Sequence, residues 1–225
     1  CSCGSGRRRR GAAEDHPGVM RNSGCLYSTG EPSSTSTAVT VPLTAPGAPP
    51  STEADWTGDT RVTYIRAKTE AERLAWPLAK ELGLNLVTVL PGGICGPGFA
   101  RNTPSLDLVE AMMHGAFRMG VPDANFPYVD VRDVVSAHLM VAEQDAQGRF
   151  LAINDEQPHF RKMLDVMHAI DARVKLPLMA MPDFMVPALP LFDRLNALTL
   201  GTPRIGSPDL LATLRSWWPL SLVLW

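Results

Sequence analysis

The sequence predicts an α/β fold in which a largely parallel sheet carries helices on its faces. Strand-like and helix-like segments alternate through the middle of the chain, the pattern expected when connections pack back onto a sheet. The run Leu84-Asn-Leu-Val-Thr-Val-Leu90 is short, largely apolar and closed by Pro91-Gly92, which suits a strand buried on both faces. A chain of 225 residues, 45% hydrophobic and 20% charged with a formal net charge of -2, suits one globular domain or part of a larger one.

Residues 1–51 read as a leader and linker. Residues 1–17 are polar, basic and rich in glycine, with no periodic apolar pattern. The cluster Arg7-Arg-Arg-Arg10 reads as a solvated tail, and the near-neutral balance of the whole chain argues against nucleic acid as a partner. A short strand can be read near 18–27, and residues 28–52, dense in Ser, Thr, Pro and Gly, read as linker.

Order is expected from about residue 52. Residues 60–82 pattern as a helix whose apolar face holds Ile65, Leu74, Leu78 and Leu82, with Gly83 as its stop. Pro77 predicts a kink after Trp76. After the strand at 84–90, helices are expected at 106–114, 130–144 and 159–171, and strands at 126–129 and 149–154. Asp130 is placed to cap its helix, and Asp133 adds negative charge in the first turn. Residues 156–215 form a smaller, mostly helical region. The Met- and Leu-rich stretch beyond Leu176 reads as core more readily than as a lid over an apolar pocket. Residues 216–225 are an atypical apolar tail.

Cys1, Cys3, Cys25 and Cys95 form no CxxC pair and have no histidine at zinc spacing, so no metal site is expected. Their number and placement suit a reduced compartment. No apolar run is long enough to cross a membrane, and the first thirty residues lack the apolar core of a signal peptide. The expected location is the cytoplasm.

The chemistry centres on Tyr64-Ile-Arg-Ala-Lys68. One helical turn brings these two heads to the same face, where an ammonium would favour the phenolate and ease proton exchange with a carbonyl or alcohol oxygen. On its own, this spacing occurs on many solvated helix faces. Two longer blocks accompany it. The first runs from Tyr64 through Ala71-Glu-Arg-Leu-Ala-Trp76 to Pro91-Gly-Gly-Ile-Cys-Gly-Pro-Gly98. The second is Phe126-Pro-Tyr-Val-Asp-Val-Arg-Asp-Val-Val-Ser-Ala-His138. Together they resemble the extended short-chain dehydrogenase/reductase family, in particular its dihydroflavonol-reductase-like, NAD-dependent epimerase/dehydratase branch.

The resemblance covers residues 52–215, with a weaker trace near 19–27, and implies an incomplete Rossmann-like parallel sheet followed by a helical substrate-binding region. It makes Tyr64 the catalytic acid/base and gives Lys68 two tasks, lowering the Tyr64 pKa and holding the nicotinamide ribose. It places Pro91, Gly92 and Gly93 against the nicotinamide carboxamide. The family's catalytic serine belongs to a Thr-Ser-Ser run that ends the preceding strand; Ser23 in Arg21-Asn-Ser23 is the candidate, with Ser28 behind it. Gly93, Gly96 and Gly98 are not a dinucleotide fingerprint, since prolines intervene before the next helix.

The implied reaction is NADP- or NAD-dependent reduction of a ketone or aldehyde, or oxidation of the alcohol, on a small apolar or aromatic substrate. No Gly-rich pyrophosphate loop precedes Tyr64, and the leader and tail read as sequence continued past a true boundary. The chain is therefore expected to be a truncated form of such an enzyme; a non-enzymatic fragment or pseudoenzyme without cofactor binding is the rival expectation, and a sugar-nucleotide epimerase or dehydratase a third. An incomplete sheet also makes a homo-oligomer an expectation.

Overall fold

The computed structural model describes residues 26–28, 31–42, 44, 49, 51–59, 61–101, 103–144, 146–154, 157–182 and, singly, Leu191, Arg194 and Leu198. Its central strand is β3 (Val87–Pro91), buried at all five positions. Strand β2 (Glu31–Thr35) and strand β6 (Gly148–Ala152) run parallel to it on either side. β1 (Leu26–Ser28) closes the outer edge of β2 in the antiparallel sense, completing the order β1-β2-β3-β6. A second parallel pair joins β4 (Gly93–Cys95) to β5 (Tyr128–Asp130).

Side chains on β3 alternate between faces, as the pleat requires. Val87 and Val89 pack with Val141 of helix α3 (Val131–Glu143). Leu90 packs with Val41, and Thr88 donates to Glu72 of helix α1 (Thr63–Glu81). Helices α2 (Pro104–Met113) and α4 (Phe160–Ile170) share a separate apolar cluster built around Leu108, Met112, Phe126, Phe160 and Leu164. Leu176 packs against this cluster, and Met181 is buried, so the start of the Met-rich stretch is core.

Local signals account for the helix ends. Thr103 caps α2 ahead of Pro104, and Asp130 caps α3 by accepting from the Arg132 amide at 2.8 Å. At the end of α1, Gly83 adopts φ 65. The Leu84 amide then reaches the Ala79 carbonyl and the Gly83 amide the Lys80 carbonyl, a Schellman closure.

Two expectations are corrected. Residues 28–52 are not simply linker, because they supply β2 and a 3-10 turn at Ala38–Thr40. β2 has no aliphatic side chain to announce it; the hydroxyls of Ser33 and Thr35 bond to the buried His138 instead. The buried positions of α1 are Ile65, Thr69, Glu72 and Ala79. Leu74, Leu78 and Leu82 stand 69%, 50% and 61% exposed on the other side of that helix. A glutamate and a threonine occupy the inner face because each has hydrogen-bond partners there. α1 itself runs unbroken through Pro77, at which both Pro77 and Arg73 are exposed.

Candidate functional site

Tyr64 and Lys68 lie in the first turns of α1, one turn apart. Tyr64 remains 41% exposed. The side chain of Thr37 lies beside its phenol oxygen. Thr37 is buried and lies two residues past the C-terminal end of β2, so the pair sits at the carboxyl edge of the parallel strands. That edge is where open α/β sheets bind ligands.

Burial pushes the Tyr64 phenol above its ordinary value of about 10, and the neighbouring Thr37 side chain offsets only part of the rise. The direction is opposite to the lowering expected from Lys68. The phenol is therefore protonated at neutral pH.

The hydroxyl beside Tyr64 therefore comes from Thr37. Ser23 lies outside the described residues, and Ser28 is the last residue of β1, on the far side of β2 from β3. The hydroxyl-rich run Ser33-Ser-Thr-Ser-Thr37 held the signal. Like the Thr-Ser-Ser run of the resembling family, it ends the strand preceding the tyrosine helix. Three of its hydroxyls have defined partners: Ser33 and Thr35 meet His138 at 3.1 and 3.0 Å, and Ser36 donates to Glu72 at 2.6 Å.

The turn after β3 is committed to the chain itself. The Gly92 amide donates to the Ala152 carbonyl at 3.2 Å and the Gly93 amide to the Pro127 carbonyl at 2.6 Å. A methyl group on Gly92 would run into the Pro127 carbonyl, and one on Gly93 into the Phe126 ring. These glycines are required by internal packing, and neither amide is left to donate to a ligand. Beyond them, the Cys95 thiol is pushed up by burial and by Asp130. Asp130 is itself held at about 2 by Arg132, which it meets through both guanidinium arms, so it caps α3 and does not act as a base.

A cleft of about 550 Å³ is lined by Glu53, Ala54, Trp56, Arg73, Trp76, Gly148 and Arg149. Gly148 opens β6, so this cleft borders the amino end of that strand and has none of the Tyr64 group in its wall. Among the described residues no three His, Cys, Asp or Glu side chains form a cluster able to hold a metal ion. No helix among them is long and apolar enough to cross a membrane.

A family model described as "NAD dependent epimerase/dehydratase family" matches residues 31–154, which includes β2, Thr37, Tyr64 and Lys68. Cinnamoyl-CoA reductase CAD2 of Medicago truncatula is 29% identical over 129 residues, covering 56% of this chain and 38% of that protein. An anthocyanidin reductase of Vitis vinifera is 32% identical over 112 residues, covering 45% and 33%. The chain thus spans only about a third of the length of these relatives. Among solved structures, Gre2 from Candida albicans superposes with a TM-score of 0.52 at 21% identity, over 80% of this chain and 61% of that one, a likeness of fold.

Proposed function

Because the chain belongs to the NAD dependent epimerase/dehydratase family, we propose that it carries the proton-transfer half of an NAD(P)-dependent reductase acting on a ketone or aldehyde. The observation that carries this reading is the Tyr64 phenol paired with the Thr37 hydroxyl at the carboxyl edge of the sheet. Tyr64 donates a proton to the substrate oxygen, and Thr37 orients the phenol for that transfer. The cofactor, when bound, supplies the hydride.

Of the residues implied for holding it, Tyr64 and Lys68 fit the nicotinamide ribose, since they lie one turn apart on one face of α1. The Pro91–Gly92–Gly93 turn does not fit a donor cradle, with both glycine amides spent internally. Two relatives are named as reductases of cinnamoyl-CoA and anthocyanidin, molecules that carry aromatic rings, which favours an aromatic substrate met by the region after residue 156. The committed turn also favours a second reading, in which the chain binds no cofactor and Tyr64 and Lys68 are relics.

The deciding measurement is NADPH and NADH oxidation by the purified chain with a panel of aromatic aldehydes and ketones. Tyr64→Phe should lower turnover by about a hundredfold or more, the usual contribution of a positioned general acid. Because the phenol is raised, reduction should hold steady through neutral pH and decline only in the alkaline range as Tyr64 ionises. Absence of both cofactor binding and turnover in the wild-type chain would establish the second reading.

A further inference from the structure

We propose that Glu72 is a positioning residue that, together with Arg149, sets the Thr37 hydroxyl against the Tyr64 phenol. The inference rests on the reading of Tyr64 as the acid. Glu72 lies two turns along α1 from Tyr64, roughly 12 Å of helix rise, and acts through other residues. Its carboxylate is gripped from three elements. Oε2 accepts from Ser36 at 2.6 Å, and Oε1 accepts from Thr88 of β3 at 3.0 Å and from Arg149 Nε of β6 at 2.8 Å.

Two of these arms end on the neighbours of Thr37. Ser36 precedes it in the chain and has its amide fixed to the Val89 carbonyl at 2.8 Å. On the other side, Arg149 Nη2 donates to Thr40 Oγ1 at 2.8 Å, and that hydroxyl donates to the Thr37 carbonyl at 3.0 Å. Thr37 is thereby clamped from both directions by one ion pair.

The pair has little freedom. Its side chains are 7% and 3% exposed. Arg149 Nη1 donates to the Glu53 and Asp55 carbonyls, and the guanidinium lies 3.7 Å from the centre of the Trp56 ring. Burying two charges is expensive, and an apolar pair of similar volume often serves stability as well. What an apolar pair would not supply is directed bonds to both sides of Thr37 while holding α1 against β3 and β6.

The test follows the Tyr64 phenol directly and needs no turnover. The chain has three tyrosines, so ¹³Cζ labelling gives few signals, and Tyr64→Phe assigns the relevant one. In Ser36→Ala and Glu72→Gln, the Tyr64 titration midpoint should rise by roughly half a pH unit or more, as expected when a phenolate loses one hydrogen bond. Arg61→Ala removes only an exposed ion pair with Asp59, three residues before Tyr64, and should leave the midpoint in place.

Glu72→Gln leaves Arg149 without its counter-charge and risks misfolding, whereas Ser36→Ala leaves that pair intact and carries the test by itself. A merely structural role would lower the melting temperature of these variants and leave the Tyr64 midpoint unmoved, and that result overturns the proposal. If the wild type shows no turnover while the midpoint moves, the reductase reading fails and the positioning stands. If Tyr64→Phe abolishes turnover while the midpoint stays fixed, the reverse holds.

Discussion

His138 shows what it takes to bury a strand made of hydroxyls. It lies inside α3, with Nδ1 3.1 Å from Ser33 Oγ and Nε2 3.0 Å from Thr35 Oγ1. Burial holds its pKa below the ordinary 6.5, so the native imidazole stays neutral where the unfolded one takes up a proton. The unfolded state then binds more protons, and stability falls as pH drops through the unfolded value of about 6.5, with no change above it. Calorimetric melting at pH 7 and pH 5 should therefore show a larger drop for the wild type than for His138→Gln, which keeps one donor and one acceptor. Equal drops would mean that another group carries the acid sensitivity. At this scale, Tyr64 and Lys68 were legible because their relation depends only on helical spacing. Thr37 was not, because its meeting with Tyr64 depends on the register of β2 against β3, and β2 has no apolar alternation to show that it is a strand.

Caps and stops were the most readable elements, since Asp130, Thr103 and Gly83 act within a turn of where they stand. The buried face of α1 departs from its apolar periodicity for a physical reason. A helix face that holds a satisfied Glu72 and Thr69 buries polar atoms, and periodicity counts only apolar ones. The turn after β3 tests the element scale further. A Cβ on Gly92 would meet the Pro127 backbone and, at 3.2 Å, the Ile153 methyl, so Gly92→Ala should cost about 1–3 kcal/mol of stability. Gly58 has nothing within 4 Å, and Gly58→Ala should stay within about 0.5 kcal/mol of wild type in urea unfolding. A neutral Gly92→Ala would show that the turn can open, and a cofactor-facing role for it would regain its standing.

At the scale of the molecule, the described residues hold two apolar centres, one along β3 and one around Phe160. The strand–helix alternation foretold a sheet, but not that β6 would lie beside β3 with β4 and β5 paired apart from it. That arrangement depends on how the chain between β3 and β6 packs, which alternation does not encode. The two centres are joined at the β3–β4 turn, where the Gly93 amide bonds to Pro127 and the space beside Gly93 is filled by the Phe126 ring. Phe126 in turn lies 5.8 Å from Phe160, and Phe160 5.7 Å from Phe117, ring to ring. Phe160 is fully buried, so Phe160→Ala should cost about 3–5 kcal/mol. If the Phe126 link makes the centres one cooperative unit, that loss reaches β3, and amide exchange at Val87, Val89 and Leu90 should quicken by about a hundredfold or more. If exchange quickens only in α2 and α4, the sheet carrying Thr37 and α1 holds together by its own bonds, with the Glu72–Arg149 pair as its tie.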